Sequence, residues 1–307
     1  MNDTSNVIAI KSLSKRYRGT SEFSLSDITL QVQAGEVYGF LGANGAGKST
    51  TIRTLLNFIQ PTSGTATILG KDIVKDSVAL KHDIGYLSGD VALYNKLTGR
   101  EFLTYMNELH PAENPSYQQQ LIEAFEVPAS KRLSTLSKGN GQKVGIIQAL
   151  MHEPRVLILD EPTSGLDPLM QEVFFEHINI AKSRGASIFF SSHNLAEVRR
   201  ICDRIGFIHK GKLIREQSMT ELAKTAAHTF DLVFAGEPPV GELRAIKSAQ
   251  IALGHNKRSV IAVLPAESLA DFFGVLAKNQ LEHFDQREVN LEEEFMNYYR
   301  EADREQV

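Results

Sequence analysis

Gly42-Ala43-Asn44-Gly45-Ala46-Gly47-Lys48-Ser49 follows the pattern G-x-x-x-x-G-K-[ST]. Glycines in such a loop let backbone N–H groups close around phosphate oxygens. The start of the following helix adds a partial positive charge. In that setting the Lys48 ammonium reaches the β- and γ-phosphates of a nucleoside triphosphate, and the Ser49 hydroxyl ligates Mg²⁺. The pattern carries this meaning only between a strand and a helix. Here the apolar run Val37 to Leu41 leads into it, and a helix is expected from Lys48 to about Phe58, stopped near Pro61 and Gly64.

Asp160 and Glu161 close a second apolar run, Val156-Leu157-Ile158-Leu159. Ligands bind beyond the carboxyl ends of strands in open parallel sheets. Asp160 there can hold Mg²⁺, directly or through water, and Glu161 can orient or deprotonate an attacking water. Taken alone, a carboxylate pair after a strand is equally a cap for the next element.

The elements that must position these groups are legible in outline. Phe23, Leu25, Ile28, Leu30 and Val32 sit near alternate positions, with an irregularity around Asp27. Thr98 and Glu101 form a capping-box signature, followed by Phe102, Tyr105, Met106 and Leu109 at helical spacing. Pro111 and Pro115 interrupt, and helix resumes to about Phe125. Ile188 to Phe190 and Ile205 to Ile208 read as further strands of one sheet. Strands alternating with helices imply an α/β fold with a mostly parallel sheet. After about residue 225 the pattern changes: Phe230, Leu232 and Phe234 alternate, as do parts of Ser259 to Leu264. Leu269, Phe272, Phe273 and Leu276 make a helical stripe. Asn290 and Glu293 cap a last helix with Leu291, Phe295, Tyr298 and Tyr299. The expected division is 1–224, with a helical subdomain at about 90–150, and a small α+β domain at 225–307.

Composition bounds the function. The chain has 307 residues, 42% hydrophobic and 23% charged, which supports a buried core. Lys plus Arg is 33 against 37 for Asp plus Glu, a net charge of -4 that argues against a nucleic-acid binder. Cys202 is the single cysteine, so no internal disulfide forms, and a reducing cytoplasm is expected. Cys202 itself reads as a small buried hydrophobe. Apolar runs such as Val260 to Leu264 fall far short of the roughly 20 residues a membrane span needs. The opening Asn2, Asp3, Thr4 and Ser5 do not read as a signal peptide. Membrane work would therefore go through a partner.

Further motifs carry a family resemblance over about residues 7–222. Leu136-Ser137-Lys138-Gly139-Asn140 resembles the signature of ATP-binding cassette (ABC) ATPases. Ser164-Gly165-Leu166-Asp167 resembles the D-loop, and Ser192-His193 the switch-histidine loop. Tyr17, in Ser14-Lys15-Arg16-Tyr17, resembles the adenine-stacking aromatic. The resemblance implies a P-loop ABC ATPase core with N-terminal antiparallel strands. It implies ATP and Mg²⁺ as ligands and a homodimer with two composite sites. Tyr17, Gly42, Asn44, Gly45, Ala46, Gly47, Lys48, Ser49 and Thr50 then bind one face of the nucleotide. Ser137, Gly139 and Asn140 of the signature act across the dimer, and Asp167 of the D-loop also binds nucleotide. Glu161, His193 and Lys48 are the catalytic residues, and Ser49 and Asp160 the metal ligands.

Two departures stand out. Lys138 and Asn140 replace the glycine and glutamine of the usual signature. The stretch Ile84-Gly85-Tyr86-Leu87 leads to the place of the Q-loop glutamine, which is Gly89 here, followed by Asp90. Either Asp90 or ordered water would substitute, or Mg²⁺ would be held less tightly; Asp90 is expected in the Mg²⁺ shell, through water. These features and the C-terminal domain resemble the separate-chain ATPases of multidrug and antibiotic-resistance exporters. That implies an ATPase held at the cytoplasmic face of the membrane by a polytopic permease subunit. Val91, Leu93 and Tyr94 would lie near the docking groove, or else serve as ordinary core of the helical subdomain. A soluble ABC ATPase with a non-transport role, a weakly hydrolysing regulatory cassette and an importer subunit are the alternatives. The sequence offers one phosphate loop and no sustained heptads, against ribosomal and chromosomal roles.

Overall fold

The structure is a computed structural model that describes residues 6–91, 94, 96–111, 114–225, 228–254 and 256–287. Contacts divide the chain into Met1–Gln217 and Ser218–Val307, a few residues before the boundary that the change of pattern suggests.

The first unit opens with β1 (Asn6–Lys15), β2 (Leu25–Gln33) and β3 (Val37–Leu41), then α1 (Lys48–Leu55). β4 (Ser63–Ile68), β5 (Lys71–Asp72), α2 (Ser77–Leu80) and β6 (Ile84–Leu87) follow. Three helices come next: α3 (Gly99–Leu109), α4 (Pro115–Ala124) and α5 (Lys138–Leu150). The unit closes with β7 (Val156–Asp160), α6 (Pro168–Ser183), β8 (Ser187–Ser192), α7 (Leu195–Ile201), β9 (Arg204–His209) and β10 (Lys212–Ser218). Strands β2-β1-β4-β5 form an antiparallel sheet, and β10-β9-β3-β8-β7-β6 a second sheet in which β9, β3, β8, β7 and β6 run parallel. Every residue of β3, β7 and β8 is buried, as expected for parallel strands covered on both faces. One apolar core, with Ile8, Leu30, Phe40, Ile52, Ile158 and Phe189 among its members, joins both sheets and α1.

Several local expectations hold and others shift. The irregularity at Asp27 is a left-handed residue, φ 54°, whose N–H donates to Ser14 Oγ at 2.9 Å. Phe23 lies outside β2, 44% exposed beneath the Arg16 guanidinium. Helix α1 ends at Leu55 rather than near Phe58, because Asn57 turns left-handed and Phe58 N–H bonds back to Arg53 O, a Schellman stop. The Thr98–Glu101 capping box is present. On α3, however, Phe102 and Leu103 are buried while Tyr105 and Leu109 are exposed. Strand β4 escaped the sequence reading: only Ala66 and Ile68 face the core, and Thr65 and Thr67 face outward.

The second unit carries α8 (Met219–Thr225), β11 (His228–Phe234), α9 (Val240–Ala245), β12 (Gln250–Leu253), β13 (Ser259–Leu264), α10 (Leu269–Leu276) and β14 (Leu281–Arg287). From β11 onward this is a split βαβ order, βαββαβ, with sheet order β12-β13-β11-β14. Its core is the inward alternation Phe230, Leu232, Phe234 on β11 and Val260, Ala262, Leu264 on β13, closed by Leu243 and Phe272. Phe273, read as part of the helical stripe, is exposed. The last helix expected around Asn290, Leu291, Glu293, Phe295, Tyr298 and Tyr299 lies outside the described residues.

Two polar features of the first unit have measurable consequences. Glu36, 9% exposed, accepts from Arg204 Nε at 2.8 Å and Nη2 at 3.1 Å, while the guanidinium lies over the Tyr38 ring. Removing the cation strands a buried carboxylate. Arg204→Met should therefore lower unfolding free energy by about 3 kcal/mol, read by urea denaturation. His152, past the end of α5, packs its ring 4.4 Å from that of His110, and its Nε2 is buried without a partner. Burial first, and then His110, lower its pKa to about 4. The unfolded chain takes up that proton first as pH falls, so the stability His152 contributes is complete above about pH 6.5 and drains away toward pH 4. Between pH 7.5 and 5 the wild type should lose about 2 kcal/mol more than His152→Leu, measured by urea titration at each pH.

Candidate functional site

The carboxyl ends of β3, β7 and β8 meet at one edge of the sheet. Leu41 pairs with Ser192, and Asp160 with Ser191. The three loops leaving that edge carry the phosphate motif, Glu161 and His193. Gly42 N–H donates to Ser192 O at 3.2 Å, fixing the start of the phosphate loop on β8. Gly45 and Gly47 take φ of 80° and 116°. At position 47 a Cβ would also stand 3.0 Å from Ser24 O and 2.9 Å from the Leu25 side chain, so only glycine fits. No side chain caps α1, and no acidic residue lies in its first turn, which holds Lys48, Ser49 and Thr50. Its first N–H groups and the positive end of the helix dipole are thus left for an anion to meet. Ala43, Asn44 and Gly45 are exposed, and Ala46 is buried with its carbonyl taken by Gly211 N–H.

Lys48 Nζ, 4% exposed, donates to Gly42 O at 2.6 Å and Ala43 O at 3.2 Å, and pairs with Glu161 Oε1 at 3.2 Å. The other Glu161 oxygen lies 3.1 Å from His193 Nδ1. Lys48, Glu161 and His193 form one continuous polar chain. Glu161 has φ 47°, an uncommon conformation for a non-glycine residue. Its N–H is held by Ser191 O at 3.1 Å and Ser191 Oγ at 3.2 Å. Ser191 also donates through Oγ to Asp160 Oδ1 at 2.6 Å, which orients a carboxylate only 5% exposed. Ser191 is fully buried and holds both acidic residues, a role the sequence reading missed. The signal was present in Ser191-Ser192, two hydroxyls closing an apolar strand just before His193.

The remaining expected residues stand elsewhere. Tyr17 lies in the turn after β1, 36% exposed, with Lys15 Nζ 5.5 Å above its ring. Ser137 caps α5, accepting from Asn140 N–H at 3.3 Å. Gly139 approaches Gly165 of the next loop so closely that a Cβ would lie 2.6 Å from Gly165 O. Asp167 caps α6, accepting from Met170 N–H. Gly89 does sit beside the acidic site: a Cβ there would lie 3.5 Å from Asp160 Oδ2. Asp90 is exposed, and its N–H donates to Ser88 Oγ at 3.4 Å. Val91 packs on Gly145 of α5, Tyr94 is 58% exposed, and Leu93 lies outside the described residues. Cys202 is buried and burial pushes its thiol pKa up, so it is an inert hydrophobe.

An oxygen-rich pair, the oriented Asp160 carboxylate and a hydroxyl in the first turn after a phosphate loop, is the donor chemistry that Mg²⁺ takes when it also binds phosphate. Comparison with known proteins agrees with that chemistry. The ABC transporter family model matches residues 25–164. The chain is 38% identical over 223 residues to the bacitracin transport ATP-binding protein BcrA of Bacillus licheniformis, covering 72% of each chain. It is 34% identical to the ABC transporter ATP-binding protein NatA of Bacillus subtilis, covering 70% of this chain and 91% of that protein. It is 35% identical to YbhF of Escherichia coli, a probable multidrug ABC transporter ATP-binding protein, of whose length it spans 39%. A solved ATP-binding subunit of an ABC transporter superposes with TM-score 0.65 at 31% identity, covering 70% of this chain and 91% of that one. The cassette MJ0796 with ADP and phosphate shares the fold, with TM-score 0.63 at 21% identity over 69% of this chain and 98% of that one. From the phosphate loop, the acidic strand end and these relatives together, the chain belongs to the ABC transporter ATP-binding proteins and is an ATPase of that family.

Proposed function

We propose that this chain is the ATP-hydrolysing subunit of an exporter, paired with a second copy and attached to a polytopic permease at the cytoplasmic face of the membrane. The observation that carries the hydrolytic part is the Lys48–Glu161–His193 chain beside Asp160. The names of BcrA and YbhF support export of antibiotics or drugs. Among the described residues no helix is long and apolar enough to cross a membrane, so the permease supplies that part. Exposed Tyr94 and Tyr105, in edge contact at 6.2 Å, are an apolar surface on the helical subdomain suited to a permease helix. The non-transport and regulatory alternatives gain no support from these relatives.

The residues divide the work by position. Asn44, Gly45, Gly47 and Thr50 offer N–H donors to the phosphates, Gly42 and Ala46 shape the loop around them through their own N–H bonds to Ser192 O and Ala43 O, and Tyr17 stacks the adenine. Lys48 shares its charge with Glu161 at 3.2 Å, and the greater negative charge of a triphosphate draws the ammonium away. That exchange frees the Glu161 carboxylate, which takes a proton from water as the water oxygen bonds to the γ-phosphorus and the bond to the ADP oxygen breaks. His193 holds Glu161 from the other side. Ser49 and Asp160 would hold Mg²⁺, which supplies charge neutralisation on the phosphates. Ser137, Gly139, Asn140 and Asp167 face the nucleotide of the other copy, where the start of α5 adds helix-dipole attraction.

Glu161→Gln should retain ATP binding and reduce turnover by at least about a hundredfold, since an amide accepts no proton. ATP-dependent dimers should then accumulate in gel filtration; normal turnover in the variant would overturn the role. Asp90 is proposed to reach the Mg²⁺ shell through water. Asp90→Ala should raise the Mg²⁺ concentration for half-maximal ATPase activity several-fold; an unchanged requirement would assign Asp90 to the permease surface instead.

A further inference from the structure

The first two turns of α5 touch the segment after Glu161 at two points. Gln142, 2% exposed, donates from Nε2 to Pro162 O at 2.9 Å, a buried bond between residues 20 apart in sequence. The close approach of Gly139 to Gly165 is the second contact. Between these points the chain is a tight turn: Ser164 N–H bonds to Glu161 O and Leu166 N–H to Thr163 O, with Gly165 at φ 80°. Pro162 is joined directly to Glu161, whose own N–H is fixed by Ser191. The backbone around Glu161 is thus held on both sides, by Ser191 at its own N–H and by Gln142 one residue on, at the Pro162 carbonyl.

We propose that Gln142 is a positioning residue for ATP hydrolysis: its bond to the Pro162 carbonyl sets Glu161 against its substrate and makes the Ser137–Gly139 end of α5 move as one body with that carboxylate. A neutral amide suits the task. It reaches the carbonyl from a buried position without the cost of burying a charge. Because the start of α5 faces the second copy's nucleotide in the proposed dimer, the same bond transmits the state of one ATP site to the base of the other. Displacement of a reacting group by about 1 Å costs on the order of a hundredfold in rate, so even partial loosening is measurable.

The inference rests on Glu161 acting as the base, and the experiments separate the two. In the full chain, Gln142→Met should lower kcat about tenfold or more with ATP KM changed less than about threefold. In a Glu161→Gln background the same substitution should bring no further loss, since its effect passes through Glu161. Gln142→Glu supplies a second readout: a buried carboxyl has a raised pKa, and only its protonated form donates to the carbonyl. Its rate relative to wild type should climb as pH falls from about 8 to 6. An unchanged kcat in Gln142→Met, a loss that adds fully to that of Glu161→Gln, or a flat relative pH profile in Gln142→Glu would each overturn the proposal. Normal turnover in Glu161→Gln alone would instead remove the reading beneath it.

Discussion

Lys48 keeps its ammonium group almost wholly out of water, and a buried cation costs several kcal/mol unless it is paired and hydrogen-bonded. Two loop carbonyls and Glu161 meet that requirement here. The arrangement demands that a phosphate loop, an acidic strand end and the histidine loop lie within a few ångströms of one another. Three neighbouring parallel strands, β3, β7 and β8, ending at a common edge supply that geometry. The full burial of those strands keeps the edge rigid. The rest of the first unit serves this constraint: helices cover the faces of the parallel sheet, and the antiparallel strands close the core beside α1.

Polar hydrogen bonds then set the finer geometry within that rigid edge. Ser191 is fully buried yet makes three hydrogen bonds to two groups: its hydroxyl donates to the Asp160 carboxylate and accepts from the Glu161 N–H, and its carbonyl accepts from that same N–H. It keeps a strained left-handed Glu161 at the head of the turn. The turn itself is spanned on one side by α5 and on the other by α6, where Gln171 Nε2 reaches Leu166 O at 3.3 Å. Glu161, the proposed catalytic carboxylate, thus heads a turn that touches two helices at once, which links the site to the packing of α5 and α6.

The second unit builds its own core from alternating residues of β11 and β13 with Leu243 and Phe272. Among the described residues, Phe230 stacks on Phe272 within that core at 4.8 Å, and the exposed Phe284 tilts against Phe230 at 5.4 Å.

The sequence by itself determined the parts that rest on local rules. A glycine loop needs positive φ at Gly45 and Gly47, Thr98 and Glu101 need only each other to cap α3, and a short β-branched apolar run such as Val156 to Leu159, bounded by polar residues, favours a buried strand. Strand β4 was not legible, since its threonines face outward and Gly64 resembles a stop signal. Helix α5 had no local pattern of its own, because Gly139, Gly141 and Gly145 are poor helix formers that only tertiary packing tolerates, and only the family resemblance implied a helix beginning at Ser137. Composition and motif placed Lys48, Asp160, Glu161 and His193 on a list of candidates. Only the tertiary structure decided that Lys48, Glu161 and His193 form one hydrogen-bonded chain, that Ser191 and Gln142 hold it, and that Asp90 faces solvent. Those are contacts between residues distant in sequence, and their distances depend on strand register and helix packing, which no local pattern encodes.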